Sequence, residues 1–339
     1  MRKRRILFLL LLSAVILVAG PLSAMAQGVK SPSQSVVLSE IGRIATSAQG
    51  TVGVSALHME TGRRVDFLAD EFFPMASTVK VPVAGKILEM ADKGQIDLTE
   101  PIPLDYMELA PDGPLREMKW HRGLSFSAAE LLEAMIVTSD NTSTDVLYRV
   151  AGGPSAVKAY MQDLGLKDIL PARYIRELLR DVLSIPPAKT KMSLAEQFKK
   201  MPPRQAAERR QRAYRANPAY DADPRDQVTP AAMLALLTKI WRAEGVSPSA
   251  RSALISLMEQ CKTGTKRIRG RLPSGTVVAD KTGTLAGTLN DVGYVTLPEG
   301  KGHIAVVVFI KGSEAPPGSR ETVIADIARL LYDYFLLVE

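Results

Sequence analysis

Alternation of apolar and polar residues at both ends of the chain predicts strands that belong to one sheet. In the first run, Thr51 to His58, the side chains of Val52, Val54 and Ala56 fall on one face, and Thr61-Gly62 forms a turn. The later runs are Arg63 to Phe67 after this turn and, near the other end, Thr276 to Ala279, Thr288 to Leu297 and His303 to Lys311. Because strands bury their apolar faces by pairing, these distant runs are expected to form a single sheet.

The middle of the chain has the apolar spacing of helices. Thr229 is a good helix cap, Pro230 suits the first helical position, and Gly245 suits the end of the same helix. The predicted helices are Val79 to Asp92, Ala128 to Val137, Ser155 to Leu164, Pro230 to Ala243, Pro248 to Gln260 and, closing the chain, Ser319 to Leu337. The pattern therefore predicts one composite domain, β-rich at its ends and helical in its middle.

The N-terminus has the pattern of a signal peptide. Four basic residues from Arg2 to Arg5 precede an apolar run from Ile6 to Ala19, and Ala24-Met25-Ala26 supplies the small residues of a cleavage site. We expect a signal peptide over 1–26, a mature domain over 27–339 and export to the periplasm or outside the cell. An uncleaved membrane anchor is the alternative, but the run is shorter than the ~18 apolar residues of a spanning helix.

Composition and charge narrow the classes of function. The chain is 46% hydrophobic and 23% charged, as in ordinary soluble domains. Its net charge of +7 falls to +3 without the signal peptide, which weakens any case for nucleic-acid binding. One cysteine, Cys261, excludes an internal disulfide, and three scattered histidines have no ligand spacing. We expect no metal, no cofactor, no stable membrane insertion after cleavage and a monomer.

The segment from Asp181 to Ala222 is unusually basic and rich in proline. It holds nine Lys or Arg residues against four acidic ones, and this local charge of +5 exceeds that of the mature chain. A solvated surface is one interpretation, and contact with an anionic polymer is the other. A helix is expected within it, from Gln205 to Ala216.

Three short motifs carry candidate chemistry. In Ser77-Thr78-Val79-Lys80 a helix would place the lysine on the same face as the serine, where it can take the hydroxyl proton. Ser139-Asp140-Asn141 follows an apolar helix, and Lys281-Thr282-Gly283-Thr284 continues a strand whose edge can present a backbone N–H to an oxyanion. Each of two motifs has a second copy that is expected to have no catalytic role. The copy of Ser-x-x-Lys, Ser155 to Lys158, lies within a predicted helix, and the copy of Lys-Thr-Gly, Lys262 to Thr265, contains Gly264, which would end a helix.

In this order the three motifs resemble those of the class A β-lactamases, which are penicillin-recognising serine hydrolases. The match extends to three further segments: Gly152-Gly153-Pro154, Asp223 to Met233, and Arg267 to Gly270. The resemblance covers Ser35 to the C-terminus. It implies an α/β fold: an antiparallel sheet built from both chain ends and flanked by helices, an all-α half, and an active site between them.

The resemblance also implies roles for individual residues. Ser77 would be the acylated nucleophile, Lys80 its proton partner, and Ser139 the relay of a proton to the leaving nitrogen. Burial and the second cation, Lys281, would lower the pKa of Lys80.

Substrate binding would use the remaining motif residues. Asn141 would hold the substrate amide, and Lys281 with Thr282 would bind its carboxylate. Gly283 would allow close approach, and the N–H of Thr284 would form the oxyanion hole with that of the nucleophile.

The family pattern breaks where class A enzymes place the glutamate that activates the deacylating water. Counting without gaps puts Ile175 at the glutamate and Leu179 at the following asparagine, while Arg173 and Leu178 match. Glu177 could act as the base only if the backbone shifted by two residues. We therefore expect slow deacylation.

The loop that holds this segment is enlarged. From Arg173 to Asp226, whose family counterparts pair across the neck of the loop, there are 54 residues, whereas compact Ω-loops have 6 to 16. The basic segment is thus an insertion beside the active site, and a lid, a substrate guide and a flexible excrescence are all open interpretations.

The predicted function is an exported serine hydrolase that is acylated at Ser77 by β-lactams and hydrolyses them slowly. The same chemistry could act on another peptidoglycan-like small substrate, as in a D-alanyl-D-alanine peptidase, amidase or esterase. A non-hydrolytic sensor of β-lactams or wall fragments is the third alternative.

Overall fold

The computed structural model describes residues 32–117 and 120–337, and from Pro32 onward the chain forms a single unit. The predicted signal peptide over 1–26 lies outside the described residues. None of the described helices is long and apolar enough to cross a membrane.

Ten strands and twelve helices make up this part of the chain. The strands are β1 (Thr51–His58), β2 (Arg64–Phe67), β3 (Phe73–Pro74), β4 (Pro101–Pro103), β5 (Ser125–Ser127), β6 (Ile169–Leu170), β7 (Gln227–Val228), β8 (Val278–Leu285), β9 (Thr288–Thr296) and β10 (His303–Lys311). The helices are α1 (Pro32–Ala45), α2 (Lys80–Asp92), α3 (Ala128–Val137), α4 (Asn141–Val150), α5 (Pro154–Asp163), α6 (Ile175–Val182), α7 (Leu194–Lys200), α8 (Pro203–Arg212), α9 (Pro218–Asp221), α10 (Pro230–Trp241), α11 (Pro248–Glu259) and α12 (Pro317–Leu337).

The main sheet joins the two ends of the chain, as predicted. Its order is β2-β1-β10-β9-β8, and every neighbouring pair is antiparallel. Thr51 lies opposite Lys311, and Val278 lies opposite Val295. Strand β8, which carries the Lys-Thr-Gly motif, is the edge strand, so one side of its backbone faces away from the sheet.

Alternation along the strands separates two hydrophobic cores. On one face Val52, Val54 and Ala56 pack with residues of α1 and α12. On the other face Val307 and Phe309 pack against the helical half of the molecule. The α/β architecture, with an antiparallel sheet flanked by helices, is confirmed. The expectation of an all-α half is corrected, because two small sheets, β3-β7-β6 and β4-β5, lie among the helical segments.

Several element boundaries differ from the prediction. Helix α1 was not predicted, although Val37, Ile41 and Ile44 form a buried stripe with helical spacing. The prediction that Gly264 ends a helix is wrong: α11 ends at Glu259, and Gly264 lies in the following loop with a φ of +61°. The helix predicted over Gln205 to Ala216 is α8, which lies earlier.

Candidate active site

The three motifs meet in a cleft of about 480 Å³ between β8 and the helical half. Ser77 comes from the turn before α2, Ser139 and Asn141 from the junction of α3 and α4, and Thr282 and Thr284 from β8. These residues are far apart in sequence and all line the cleft.

Ser77 lies in a 3₁₀ turn, Ala76–Val79, whose backbone rests against the edge strand. A Cβ atom on Gly283 would lie 2.9 Å from the Met75 carbonyl oxygen and 3.2 Å from the Ser77 nitrogen, so only glycine permits this approach. Asn290 on β9 also donates from Nδ2 to the Met75 carbonyl, at 3.1 Å. The nucleophile candidate is thus fixed against β8, beside Thr284.

Lys80 is fully buried at the start of α2. Its Nζ donates to the Ser139 carbonyl at 2.6 Å, to Ser139 Oγ at 2.9 Å and to Asn141 Oδ1 at 2.9 Å. Burial, and then the charge of Lys281, hold the pKa of Lys80 well below its usual value, against the opposing charges of Asp140 and other carboxylates. A lowered pKa is the property that a lysine general base requires.

Ser139 lies between the side chains of two lysines. Its Oγ accepts hydrogen bonds from Lys80 Nζ and, at 3.0 Å, from Lys281 Nζ. The residue adopts a left-handed φ of +60°, and Asp140 caps α4 by accepting from Ser143 N at 2.7 Å. The strained turn therefore points the hydroxyl of Ser139 at both lysines. The neighbouring Asp140 has a separate role, because it caps α4.

Asn141 and Lys281 complete this network, Asn141 through Lys80 and Lys281 through the Ser139 hydroxyl. Asn141 Nδ2 donates to the Pro111 carbonyl at 2.8 Å, which fixes the amide. Lys281 is fully buried, its Nζ donates to the Thr282 carbonyl at 2.9 Å, and burial lowers its pKa to about 8.

Two residues of the cleft wall were missed as functional candidates. Thr263, in the copy of the Lys-Thr-Gly motif expected to be inert, lies with its Oγ1 2.5 Å from Thr282 Oγ1. Arg267 donates from Nη1 to the Gly283 carbonyl at 3.1 Å and from Nη2 to Thr284 Oγ1 at 2.7 Å, so a second cation supports the edge strand. Arg267 begins the segment, Arg267 to Gly270, that matches the family, so the sequence did contain a signal for this residue.

The copy of the Ser-x-x-Lys motif at Ser155 is exposed on α5 and does not line the cleft.

Arg173 and Asp226 pair across the neck of the enlarged loop. Arg173 Nε lies 2.6 Å from Asp226 Oδ2, and both side chains are buried. Asp226 also accepts from the backbone nitrogens of Ala172 and Arg173, at 2.7 and 3.1 Å. The pair ties the start of the loop to its end.

Helix α6 presents an apolar wall to the cleft. Ile175, Leu178 and Leu179 all line the cleft and are buried. Asp145 on α4 fixes the start of this helix by accepting from Ile175 N at 2.6 Å and Arg176 N at 3.1 Å. Burial raises the pKa of Asp145 to about 7.

The structure does not bring Glu177 to the other site residues. Its side chain is exposed and accepts from Tyr174 N at 3.1 Å, which caps its own helix. The carboxylates that line the cleft are Asp112 and Glu321, and Glu321 Oε1 lies 3.6 Å from Arg267 Nε. Among the described residues, no group of three His, Cys, Asp or Glu side chains is placed to hold a metal ion.

The basic insertion crosses the mouth of the cleft. Ala213 and Tyr214 line the cleft directly after α8. Their carbonyl oxygens accept from Ala286 N at 2.6 Å and from Arg320 Nη2 at 3.1 Å. The insertion therefore packs on the β8–β9 turn and on α12. These contacts argue against its interpretation as a flexible, solvated loop.

Comparison with known proteins agrees with this geometry. The model of the β-lactamase enzyme family matches residues 37–335. The extended-spectrum β-lactamase PER-1 of Pseudomonas aeruginosa is 26% identical over 316 residues, which cover 91% of this chain and 90% of that protein. β-Lactamase L2 of Stenotrophomonas maltophilia is 27% identical over 285 residues, covering 84% of this chain and 81% of L2.

Solved structures give the same result. A β-lactamase from Chitinophaga pinensis superposes with a TM-score of 0.72 at 30% identity, covering 88% of this chain and 98% of that one. A reconstructed ancestral class A β-lactamase superposes with a TM-score of 0.72 at 32% identity, covering 88% and 99%. The shared fold, the extent of the match and the order of the motifs establish that this chain belongs to the class A β-lactamase family of serine hydrolases.

Proposed function

We propose that the protein hydrolyses β-lactams through an acyl-enzyme formed on Ser77. The observation that carries the proposal is the convergence of two buried lysines, Lys80 and Lys281, on the hydroxyl of Ser139 beside the nucleophile. The relatives are β-lactamases by name, which supports the substrate class.

Acylation would proceed by proton transfer along this network. Neutral Lys80 accepts the hydroxyl proton of Ser77 as Oγ bonds to the β-lactam carbonyl carbon. When the ring C–N bond breaks, Ser139 gives its proton to the nitrogen and regains one from Lys80. The N–H groups of Ser77 and Thr284 would stabilise the oxyanion, typically by ~3 to 4 kcal/mol per donor.

Substrate orientation would be set by the two sides of the cleft. Lys281 and Thr282 would bind the substrate carboxylate, with Arg267 adding positive charge behind the strand. Asn141, whose amide is fixed by Pro111, would hold the substrate amide.

We propose slow deacylation because the wall that faces the acyl group is apolar. Ile175 and Leu179 line the cleft and cannot polarise a water molecule, and Glu177 caps its helix outside the cleft. General-base assistance is typically worth ~10²- to 10⁴-fold, so its loss makes deacylation the slow step. A long-lived adduct would also suit a sensor, and the lifetime of the adduct decides between the two roles.

We also propose export, on the basis of the signal-peptide pattern over 1–26. The periplasm or the outside of the cell is where β-lactams and peptidoglycan peptides are encountered. N-terminal sequencing of the secreted protein tests this proposal, and a mature protein that begins at Met1 would contradict it.

Labelling with a fluorescent penicillin tests the assignment of the nucleophile. The wild-type protein and the Ser155→Ala control should be labelled, and Ser77→Ala should not, because Ser77 lines the cleft in which the two lysines meet at Ser139, whereas Ser155 is exposed outside it. Peptide mapping should find the adduct on Ser77. Labelling of Ser77→Ala, or an adduct on Ser155, would contradict the proposed function.

A further inference from the structure

A second cavity, of about 540 Å³, adjoins the reaction cleft. Asp112, Leu183 and Ala213 line both spaces, so the two are contiguous. One wall comes from the segment before α3, and the opposite wall comes from the insertion. The residues used below are Tyr106 and Trp120 on the first wall and Phe198, Lys199 and Arg210 on the second.

The position of this cavity relative to Asn141 defines which part of a substrate would reach it. Asn141 Nδ2 donates to the carbonyl of Pro111, and Pro111 itself lines the second cavity. A substrate amide held by Asn141 therefore has the second cavity next to it, whereas neither Lys281 nor Thr282, which would bind the carboxylate, lines this cavity. The acyl side chain beyond the amide is the part that would enter.

The aromatic residues of the cavity suit a flat apolar group. The rings of Tyr106 and Trp120 meet edge to face, with centroids 5.2 Å apart, and Trp120 is 38% exposed. Phe198 on α7 is partly buried on the opposite wall. Such ring surfaces favour another aromatic ring placed between them.

Two cations of the insertion favour an anion in this cavity. Lys199 and Arg210 are exposed and line the second cavity but not the reaction cleft, and within the described residues neither forms an ion pair. Glu196 also lines the cavity, but its Oε1 lies 3.3 Å from Nζ of Lys200, whose charge offsets it. Asp112 lies at the border with the reaction cleft. An anionic group on the part of the side chain that lies away from this border would thus be attracted by Lys199 and Arg210.

We propose that the second cavity is a subsite for the substrate's acyl side chain, and that it selects an aryl group with an anionic substituent at its far end. The proposal rests on the proposed function for the orientation of the substrate. The insertion is then a specificity element, since it supplies the aromatic ring of Phe198 and both cations.

The test uses penicillins that share one nucleus and differ only in the side chain. The side chains are phenylacetyl, 4-carboxyphenylacetyl and 4-(aminomethyl)phenylacetyl, and 6-aminopenicillanic acid has no side chain. Binding to the full-length Ser77→Ala protein is measured by calorimetry, which requires no turnover. We expect the carboxylate to bind about fivefold more tightly than the aminomethyl compound, as is typical for exposed charges.

Variants of the cavity separate its two components. Lys199→Gln with Arg210→Gln should abolish the preference for the carboxylate, and Lys191→Gln, which removes an exposed lysine of the insertion that does not line the cavity, should retain it. Phe198→Ala should weaken the three aryl compounds by about fivefold and leave 6-aminopenicillanic acid unchanged.

Equal dissociation constants for the three aryl compounds, or no detectable binding of any of them, would overturn the subsite. Loss of the preference in Lys191→Gln as well would overturn the assignment to Lys199 and Arg210. Failure of the proposed function is a separate result: it is the absence of an acyl adduct on the wild-type protein with all four compounds.

Discussion

At the scale of single residues, the two lysines of the cleft need opposite protonation states. Lys80 must be neutral to accept a proton, and Lys281 must be charged to hold a carboxylate. Burial lowers the pKa of both, and the charge of Lys281 lowers that of Lys80 further. The required state is therefore lost as the pH rises through the pKa of Lys281, at about 8.

This arrangement predicts a fall in acylation rate as the pH rises through about 8, where Lys281 loses its proton. The second-order acylation rate of benzylpenicillin should fall about tenfold per pH unit above that value. The methyl ester of benzylpenicillin has no carboxylate and should lack this fall, and Lys281→Arg, which stays charged, should move it to higher pH. An identical alkaline limb for the ester and the free acid would contradict the role of Lys281.

The residues that the sequence did not reveal act through their neighbours. Asp145 holds the backbone of α6, and Thr263 contacts Thr282 across nineteen positions of sequence. Such contacts depend on how distant segments pack, and no local spacing encodes them. Ser77, Lys80 and the other motif residues were identifiable because their order along the chain is itself distinctive.

At the scale of elements, the Arg173–Asp226 pair holds the neck of the insertion. Arg173→Ala should lower the free energy of unfolding by about 3 kcal/mol, because it leaves the buried Asp226 without its cation. Arg225→Ala is the matched control, since that arginine is exposed and pairs with Asp223, and it should cost less than about 1 kcal/mol.

Chemical denaturation measures both variants, and limited proteolysis of residues 183–216 follows the insertion directly. We expect faster cleavage of the insertion in Arg173→Ala than in Arg225→Ala. Equal stability and equal cleavage of the two variants would show that the pair does not hold the loop.

Helices and strands could be predicted from the periodicity of apolar residues where one side of the element is buried. The strands and α3 were predicted closely for this reason, whereas α1 was missed although Ile41 and Ile44 are buried. The error at Gly264 has a different cause. A glycine with a positive φ is common both at the ends of helices and within loops. The presence of Gly264 therefore did not show where α11 ends.

At the scale of the whole molecule, the insertion places positive charge at the mouth of the cleft. Its exposed cations should speed the encounter with anionic β-lactams by about threefold at low salt, and the effect should vanish well above physiological ionic strength. The variants remove three of these cations, by Arg204→Gln, Arg212→Gln and Arg215→Gln. The control removes three exposed lysines elsewhere, by Lys93→Gln, Lys167→Gln and Lys266→Gln.

The measurement is the acylation rate as a function of salt concentration. The insertion variant should lose most of the salt dependence, and the control should keep it. Equal salt dependence in the two proteins would mean that the insertion is a solvated surface without a role in encounter.

The central claim is that Ser77 is acylated readily and that the apolar wall of α6 leaves deacylation slow. The most direct test is the stopped-flow time course of a chromogenic cephalosporin with the wild-type protein, with intact mass measured in parallel. We predict a burst equal in amount to the enzyme, then a slow steady state with the adduct on Ser77, unchanged in Glu177→Gln. Rapid steady-state hydrolysis without a burst or an accumulated adduct would contradict the account and identify another base, for which Asp112 in the cleft would be the first candidate.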